Sequence, residues 1–479
     1  MKRKLMHHQI KTFAVITTLS ASFLLSSEAF AATPGEMLEK GIYTEETKGD
    51  LDAAIQLYEA VIADGKNAEA AAAQALYRLG QCHQKKKNQT AATIAFERLI
   101  KEYPGQKDLV ELARKQLPAA LQVGPIPWEE NEFLHFSFKL DSGVKVGAAR
   151  YFARKVEVEG IPYLTVGCRS FVGRNSSSEV WTELVTFKPV KSRWMHYLFG
   201  EAKALYREGE VEVQLNQSEP SITKLDKQVW DNEQVVHLIR RLPLAPGYKA
   251  TLSVISSLSR GANVPIELEV TRKEKISVPA GEFECFKVEL NVNQTFWYST
   301  APQRHLVRFL AGGVTAELLE IGKRAEQPTA WADAASGLKV TLPAGWWVDK
   351  QDQKEGNRAV YAFVDEDGTG LNSIRLQPLD GTQEKGVRAW AEQSLKNEAS
   401  EHFKNFAVRA DSWQERTISG HPAVTSLAEG LMGEKEQLIY TTYMLTPTQK
   451  LSMLTIVPAD KFEAYRPEID KLIESIQLP

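Results

Sequence analysis

The stretch from Leu76 to Pro104, "LYRLGQCHQKKKNQTAATIAFERLIKEYP", predicts two helices that pack against each other. Small and apolar residues recur at helical spacing on both sides of the polar break "KKKNQT", and Pro104 cannot continue a helix. A small residue at a helix crossing lets the two backbones approach, and a large side chain from the partner helix then fills the gap. The expected core positions of this pair are Leu76, Leu79, Gly80, Ala92, Phe96 and Leu99.

The second helix of this pair has a counterpart upstream, in "GDLDAAIQLYEAVIADG". Ala54, Tyr58 and Val61 match three positions of the later helix at a constant displacement of 38 residues, as from Tyr58 to Phe96. This order resembles tetratricopeptide repeats, whose usual period is 34 residues. The resemblance implies a helical array over residues 33–117 that binds a protein partner and is stabilised by stacking of its repeats.

Cys82 and His83 stand side by side near the end of the first helix and raise the alternative of a metal or redox site. A zinc site needs three or four ligands, and no other histidine or cysteine lies nearby in the sequence. The pattern therefore favours a scaffold role, in which Cys82 fills a small space in the core. The other two cysteines are Cys168 and Cys285, and the sequence leaves open whether they form a disulfide.

Residues 1–31 have the pattern of a secretory signal: basic residues, an apolar run too short to span a bilayer, and the small residues of "AFA". We expect cleavage after Ala31 and a periplasmic or secreted protein, with a short membrane anchor as the alternative. Cleavage would remove four basic residues and one glutamate, which changes the formal net charge from −3 to −6. This mild acidity does not suit nucleic acid as a partner, and the sequence predicts no transmembrane segment after the leader.

From residue 128 to residue 322 the apolar period changes to two, which predicts a series of antiparallel strands. One helix interrupts them in "DNEQVVHLIRRLPL", where Asp231 or Asn232 is the expected cap and Pro243 the stop. The segments "RRLPLAPG", "VPAGEFECFKVEL" and "FWYSTAPQRHLVRF" resemble a bacterial envelope family of unknown function, whose half-barrel is of the type seen in lipoprotein carriers. The resemblance implies a curved antiparallel sheet.

An acyl chain or another apolar ligand could occupy the concave side of such a sheet. The candidate lining residues are Leu134, Phe136, Phe138 and Trp181. The alternative is that these side chains form the core beneath the helix.

Residues 335–479 follow a polar linker at 322–337 and combine strands with two amphipathic helices. The segments "LPAGWW" and "ISGHPAV" resemble the PsbP-like and Mog1-like fold, which implies an α+β binding or assembly module. The loop "DEDGTGLNSIRL" places Asp365 and Asp367 at calcium-loop positions, but Leu376 stands where such a loop needs a bidentate glutamate. A hairpin turn is the alternative explanation of this loop.

The chain contains no HExxH, CxxC, GxSxG, P-loop or GxGxxG motif, so no catalytic, cofactor-binding or metal-binding set is predicted. The sequence predicts a multidomain protein: all-α helical repeats, then an antiparallel β-rich half-barrel, then an α+β sandwich. We expect a non-catalytic scaffold or assembly protein that binds a protein partner through its helical repeats. A carrier of a lipid or another apolar ligand is the alternative, and an unrecognised hydrolase is a third possibility.

Overall fold

The computed structural model describes residues 32–65, 68–117, 121–172, 175–196, 200–225, 227–351, 359–381, 384–398, 403–432 and 435–479. The chain divides after Leu117 into two units, each with its own core. The leader predicted for residues 1–31 lies outside the described residues. In the described part, no helix is both long enough and apolar enough to cross a membrane.

The first unit contains five helices. They are α1 (Pro34–Glu46), α2 (Leu51–Ala63), α3 (Glu69–Lys85), α4 (Gln89–Glu102) and α5 (Lys107–Gln116). Three of them begin at a side-chain cap, because Thr33, Asp50 and Asn88 each accept a hydrogen bond from a first-turn backbone amide. Thr33 and Glu36 cap each other reciprocally at the start of α1. The sequence patterns predict α2, α3 and α4, and the helical array expected over residues 33–117 also contains α1 and α5.

Each helix pair packs a ring against a glycine. A Cβ atom added at Gly80 would lie 2.5 Å from the Phe96 ring, and one added at Gly41 would lie 2.7 Å from the Tyr58 ring. The two contacts correspond in the two repeats, so α1 and α2 form the first pair and α3 and α4 the second. The structure buries all six expected core positions of the repeat.

One antiparallel sheet of 15 strands dominates the second unit, with the single parallel exception of its last pair, β9 and β10. Its first eight strands are β1 (Glu132–Leu140), β2 (Lys145–Val158), β3 (Ile161–Phe171), β4 (Asn175–Thr182), β5 (Pro189–His196), β6 (Gly200–Arg207), β7 (Glu210–Leu215) and β8 (Ser221–Lys224). The remaining seven are β9 (Trp230–Asp231), β10 (Lys249–Ser256), β11 (Ala262–Val278), β12 (Gly281–Leu290), β13 (Gln294–Ser299), β14 (Leu306–Ala311) and β15 (Val314–Lys323). The sheet consists of two meanders joined where β1 pairs with β15, and β8 and β9 are its edges.

A short helix, α6 (Val235–Arg240), packs on one face of this sheet, which we call the inner face. Leu238 and Ile239 of α6 are fully buried in one apolar cluster with residues from both meanders. Asp231 caps the turn that leads into the helix, as predicted. The Tyr298 hydroxyl donates a hydrogen bond of 3.0 Å to the backbone carbonyl of Val236, which fixes α6 against β13.

The C-terminal module contains a two-stranded ribbon, a larger antiparallel sheet and two helices. The ribbon is β16 (Thr329–Ala332) with β17 (Lys339–Leu342), and the sheet contains β18 (Trp347–Gln351), β19 (Ala359–Val364), β20 (Leu371–Pro378), β21 (Lys404–Val408), β22 (Gln414–Ile418), β23 (His421–Met432), β24 (Lys435–Leu445) and β25 (Gln449–Pro458). The helices are α7 (Val387–Glu398) and α8 (Phe462–Glu474). Strand β16 lies inside the segment 322–337, for which the sequence predicts a linker.

The two helices of the module lie on opposite faces of its sheet. Along β24, Tyr440 packs in the cluster of α8, where its ring contacts Phe462, while Tyr443 contacts Trp390 of α7. This arrangement is an α+β sandwich. The predicted fold class, with helices first and β-rich regions after them, is therefore confirmed.

Candidate functional site

A groove of about 450 Å³ runs along the first helices of the repeats in the first unit. Helices α1, α3 and α5 line it, because α2 and α4 pack behind the first helices and leave this side uncovered. The lining residues are Glu45, Glu46, Gln74, Tyr77, Arg78, Gln81, Lys85 and Leu109. The groove is therefore polar along most of its length.

A buried carboxylate stands at the base of the groove. Glu45 accepts hydrogen bonds from the Tyr58 hydroxyl at 2.6 Å and from Lys85 Nζ at 2.7 Å. Arg78 Nη1 lies 3.5 Å from Glu45 and 2.5 Å from Glu46, so the groove's two glutamates are matched by two cations. Burial alone would raise the pKa of Glu45, but the hydrogen bonds from Lys85 and Tyr58 outweigh it and lower the pKa.

The uncharged groups of the groove remain available for a ligand. Gln74 and Gln81 lie seven residues apart on α3, which places both side chains on the same face of the helix. Neither amide has a hydrogen-bond partner among the residues that the structure describes. The Tyr77 ring lies between them and packs against Phe96, with ring centroids 5.7 Å apart. Two amides and a phenol suit the alternating donors and acceptors of an extended peptide backbone.

Cys82 and His83 lie near the end of α3, and the Cys82 thiol lies close to the Glu45 carboxylate at the base of the groove. Cys82 is fully buried in the core of the first helix pair, and burial raises the pKa of its thiol to about 12. Burial lowers the pKa of His83. In the described ranges, no three histidine, cysteine or acidic residues come together as metal ligands.

The candidate apolar lining of the half-barrel divides between two faces of the sheet. Leu134 and Phe136 are buried in the core beneath α6, and Phe138 packs at its margin against Phe309. Trp181 lies on the opposite face, because its neighbour Val180 points into the core and the side chains of a strand alternate. Trp181 contacts Lys191 there, with Nζ 4.8 Å from the ring centroid. The four residues therefore do not form one lining.

Two arginines of the segment "RRLPLAPG" hold α6 in place. Arg240 is fully buried, with Nη1 2.7 Å from Glu132, and Glu132 lies 3.3 Å from His305 Nε2. Burial alone would raise the pKa of Glu132, but His305 and Arg240 hold it at about 2. Arg241 donates a hydrogen bond of 2.8 Å to the carbonyl of Gly124 in the preceding segment. These two arginines of the segment "RRLPLAPG" therefore have a structural role.

The C-terminal module packs against the face of the 15-stranded sheet opposite α6, which we call the outer face. Ala148 of β2 and Phe171 of β3 form an apolar cluster with Trp347 of β18 and Val364 of β19. His135 on β1 is only 7% exposed because Trp347 covers it, with ring centroids 4.8 Å apart. The half-barrel-like sheet and the module are therefore in extensive contact.

Glu366 is the centre of an ion-pair network in this contact. Arg324 donates from Nε and Nη2 to the two oxygens of Glu366, each at 2.6 Å, and Arg154 of β2 also donates to Glu366. Arg169 of β3 donates to the backbone carbonyl of Glu366 at 2.5 Å. Arg154 and Arg169 also pair with Glu179 at 2.8 Å and 3.3 Å.

The loop that begins at Asp365, for which calcium binding was one explanation, docks the C-terminal module onto the 15-stranded sheet. The Asp365 carboxylate accepts hydrogen bonds from the backbone amides of Thr369 and Gly370, at 2.9 Å and 2.7 Å, and from Tyr465 at 2.5 Å. Asn175 of β4 donates to the carbonyl of Gly370. The Asp365 oxygens thus accept hydrogen bonds from the loop's own amides and from Tyr465 of α8, which favours the turn explanation over calcium binding.

The three cysteines, Cys82, Cys168 and Cys285, are all free. Cys168 lies on β3 and Cys285 on β12, in different meanders of the sheet. Burial raises the pKa of both thiols to about 12, which keeps them protonated and unreactive at neutral pH.

Two family models match parts of the chain. Residues 145–318 match a family described as a protein of unknown function, DUF3108, and residues 74–105 match the tetratricopeptide repeat. These matches confirm the resemblances predicted for the middle region and for the helical repeats. A comparison with curated proteins returned no match.

Solved structures with similar folds include three bacterial proteins. They are the PsbP protein (CyanoP) of Synechocystis (12% identity, 32% of this chain and 93% of that chain, TM-score 0.27), LpqN of Mycobacterium tuberculosis, involved in cell envelope biogenesis (13%, 32% and 91%, 0.23), and the immunity protein TplEi of Pseudomonas aeruginosa (10%, 73% and 93%, 0.20). The first has the PsbP-like fold named for the C-terminal region. At these TM-scores, none of the three likenesses carries an argument about function.

Proposed function

We propose that this protein is an exported, non-catalytic scaffold or assembly factor of the bacterial cell envelope. It binds an extended segment of a protein partner in the groove formed by α1, α3 and α5. The leader pattern of residues 1–31 supports export to the periplasm or secretion. The tetratricopeptide match over residues 74–105 supports protein binding by the first unit.

The chemistry of the groove is the observation that carries this proposal. Its charged residues neutralise one another, since Arg78 and Lys85 face Glu45 and Glu46. The groups left for a ligand are the amides of Gln74 and Gln81 and the Tyr77 hydroxyl. Such groups recognise main-chain amides and carbonyls, so the partner segment is extended, and its own side chains are not required to carry a particular charge.

The second unit has a structural role in this proposal. Its sheet is filled by α6 on the inner face and covered by the C-terminal module on part of the outer face. Packing of this kind suits a structural body that contacts a second component. The alternative function, carriage of a lipid in the half-barrel, gains no support, because the inner face is already occupied by Leu238 and Ile239 of α6.

Site-specific photo-crosslinking in intact cells tests this proposal. A photoreactive phenylalanine analogue at Gln81 lies in the groove, whereas the same analogue at Ile94, which is 53% exposed on α4, serves as the matched control. We expect a discrete protein adduct from Gln81 and none from Ile94. Adducts from both positions alike, or from neither, would contradict binding in the groove.

A further inference from the structure

A small cavity of about 50 Å³ lies inside the second unit, where the outer face of the 15-stranded sheet meets the C-terminal module. Its walls combine aromatic rings with guanidinium groups, chiefly Phe133, Phe152, Trp347, Arg150, Arg154 and Arg324. A space of this size admits a few non-hydrogen atoms. An aromatic wall with converging cations is the arrangement found at many small-molecule sites.

Arg150 is an arginine of this cavity whose ion pair with a carboxylate is long. Its guanidinium carbon lies 3.9 Å from the centroid of the Phe133 ring and 5.4 Å from that of Trp347. The carboxylate nearest to it in the ion-pair network, Glu320, is 3.6 Å from Nη2, which is too long for a good hydrogen bond. Arg150 Nε is buried and has no hydrogen-bond partner among the described residues. Burial lowers the pKa of Arg150 to about 10, so its charge is poorly solvated.

The arginines around the cavity differ in how well their donors are paired. Arg154, Arg169 and Arg324 pair with Glu179 and Glu366, and Arg324 is also stabilised by the charges of Glu326 and Asp367. The Nε atom of Arg154 is buried without a hydrogen-bond partner in the described part of the chain. Glu132 also lines the cavity, but its charge is matched by Arg240 and His305. The buried Nε donors of Arg150 and Arg154 therefore remain for an anionic ligand.

The shape of the walls selects among anions. The edge of a guanidinium group offers parallel N–H donors that fit a carboxylate or a phosphate. A phosphate would place some of its oxygens against the rings of Phe133, Phe152 and Trp347, where they would lose hydration without gaining a donor. A carboxylate with a short alkyl group would instead place carbon against those rings.

We propose that this cavity binds a short-chain monocarboxylate, with the carboxylate on Arg150 and the alkyl group against Phe133, Phe152 and Trp347. This inference goes beyond the proposed function, which concerns the groove of the first unit. A bound carboxylate would also link the half-barrel-like sheet to the C-terminal module, because Arg150 belongs to β2 and Trp347 to β18.

Isothermal titration calorimetry of the full mature chain with sodium propionate tests the site, at constant ionic strength set with sodium chloride. We expect saturable binding of one propionate per chain. Arg150→Gln should weaken this binding by about tenfold or more, the loss typical of a hydrogen bond to a charged group. Arg409→Gln is the matched control, because Arg409 forms an exposed ion pair with Glu429 within the C-terminal module, and it should bind like the wild type.

Several results would overturn the inference. No saturable heat with the wild type would do so, and so would equal affinity of Arg150→Gln and the wild type. If circular dichroism shows that Arg150→Gln does not fold, the test uses the wild type alone and compares its affinities for propionate, acetate and phosphate. The site predicts propionate tighter than acetate and phosphate weaker than both, and phosphate binding more tightly than propionate would refute it.

Discussion

Phe96→Ala should strongly destabilise the helical unit and leave the rest of the protein unchanged. The Phe96 side chain is fully buried, and its ring fills the space left by Gly80 between α3 and α4. Truncation of a buried phenylalanine typically costs about 3–5 kcal/mol of stability. At 0.05–0.15 kcal/mol per residue, a unit of this size holds roughly 4–13 kcal/mol in total. The substitution therefore removes a large part of the free energy of unfolding.

Hydrogen exchange measured by mass spectrometry on the full chain reports both units in one experiment. A loss of 3–5 kcal/mol should speed exchange of the most protected amides of α1 to α5 by about two to three and a half orders of magnitude. Exchange in β1 to β15 should not change, because that sheet belongs to the second unit. Ile94→Ala is the control, since Ile94 is on the same helix and 53% exposed. Unchanged exchange in α1 to α5, or a matching loss of protection in both units, would refute the reasoning.

Three further predictions concern the second unit. Glu366→Gln removes the carboxylate shared by Arg154 and Arg324, and we expect docking of the C-terminal module to weaken by roughly 1–3 kcal/mol, detected as faster exchange at residues 365–370. Burial alone would raise the pKa of Glu366, but Arg324 and Arg154 lower it below the ordinary value of 4.5. The contribution of Glu366 to the free energy of unfolding is therefore complete above pH 4.5 and is lost as the pH falls through the lowered pKa. Urea unfolding at pH 7 and pH 3 measures this loss. Phe136→Asp places a carboxylate in the core beneath α6 and should unfold the sheet. Trp181→Ala on the outer face should lower the free energy of unfolding by less than about 1 kcal/mol. Thermal unfolding followed by circular dichroism measures both effects.

Local periodicity was sufficient to predict the helices α2 to α4 and the β-rich character of the second unit. The helix pairs are local structures, so the positions of Gly80 and Phe96 follow from spacing along one short segment. Helix α1 had a readable signal as well, because Thr33, Pro34 and Glu36 form the start of a capped helix. Its apolar face is narrow, which is why the periodicity alone did not indicate it.

The contact between the sheet and the C-terminal module could not be predicted from local pattern. Arg150, Arg169 and Glu366 come from segments far apart in the sequence, and only strand register brings them together. Alternation correctly separates the two faces of β1, but it does not show that His135 is covered by Trp347. Trp181 was grouped with Leu134 because the sequence does not show the strand register. Whether residues of different strands lie on the same face depends on how the strands pair.

The affinity of the crosslinked partner for groove variants tests the central claim most directly. The partner segment identified by crosslinking at Gln81 would be synthesised as a peptide and titrated against the full chain by fluorescence anisotropy. We predict that the double variant Gln74→Ala, Gln81→Ala binds at least about tenfold more weakly than the wild type, whereas Ile94→Ala binds equally well. Wild-type affinity in the double variant, with both proteins folded, would contradict partner binding in the groove of the helical unit.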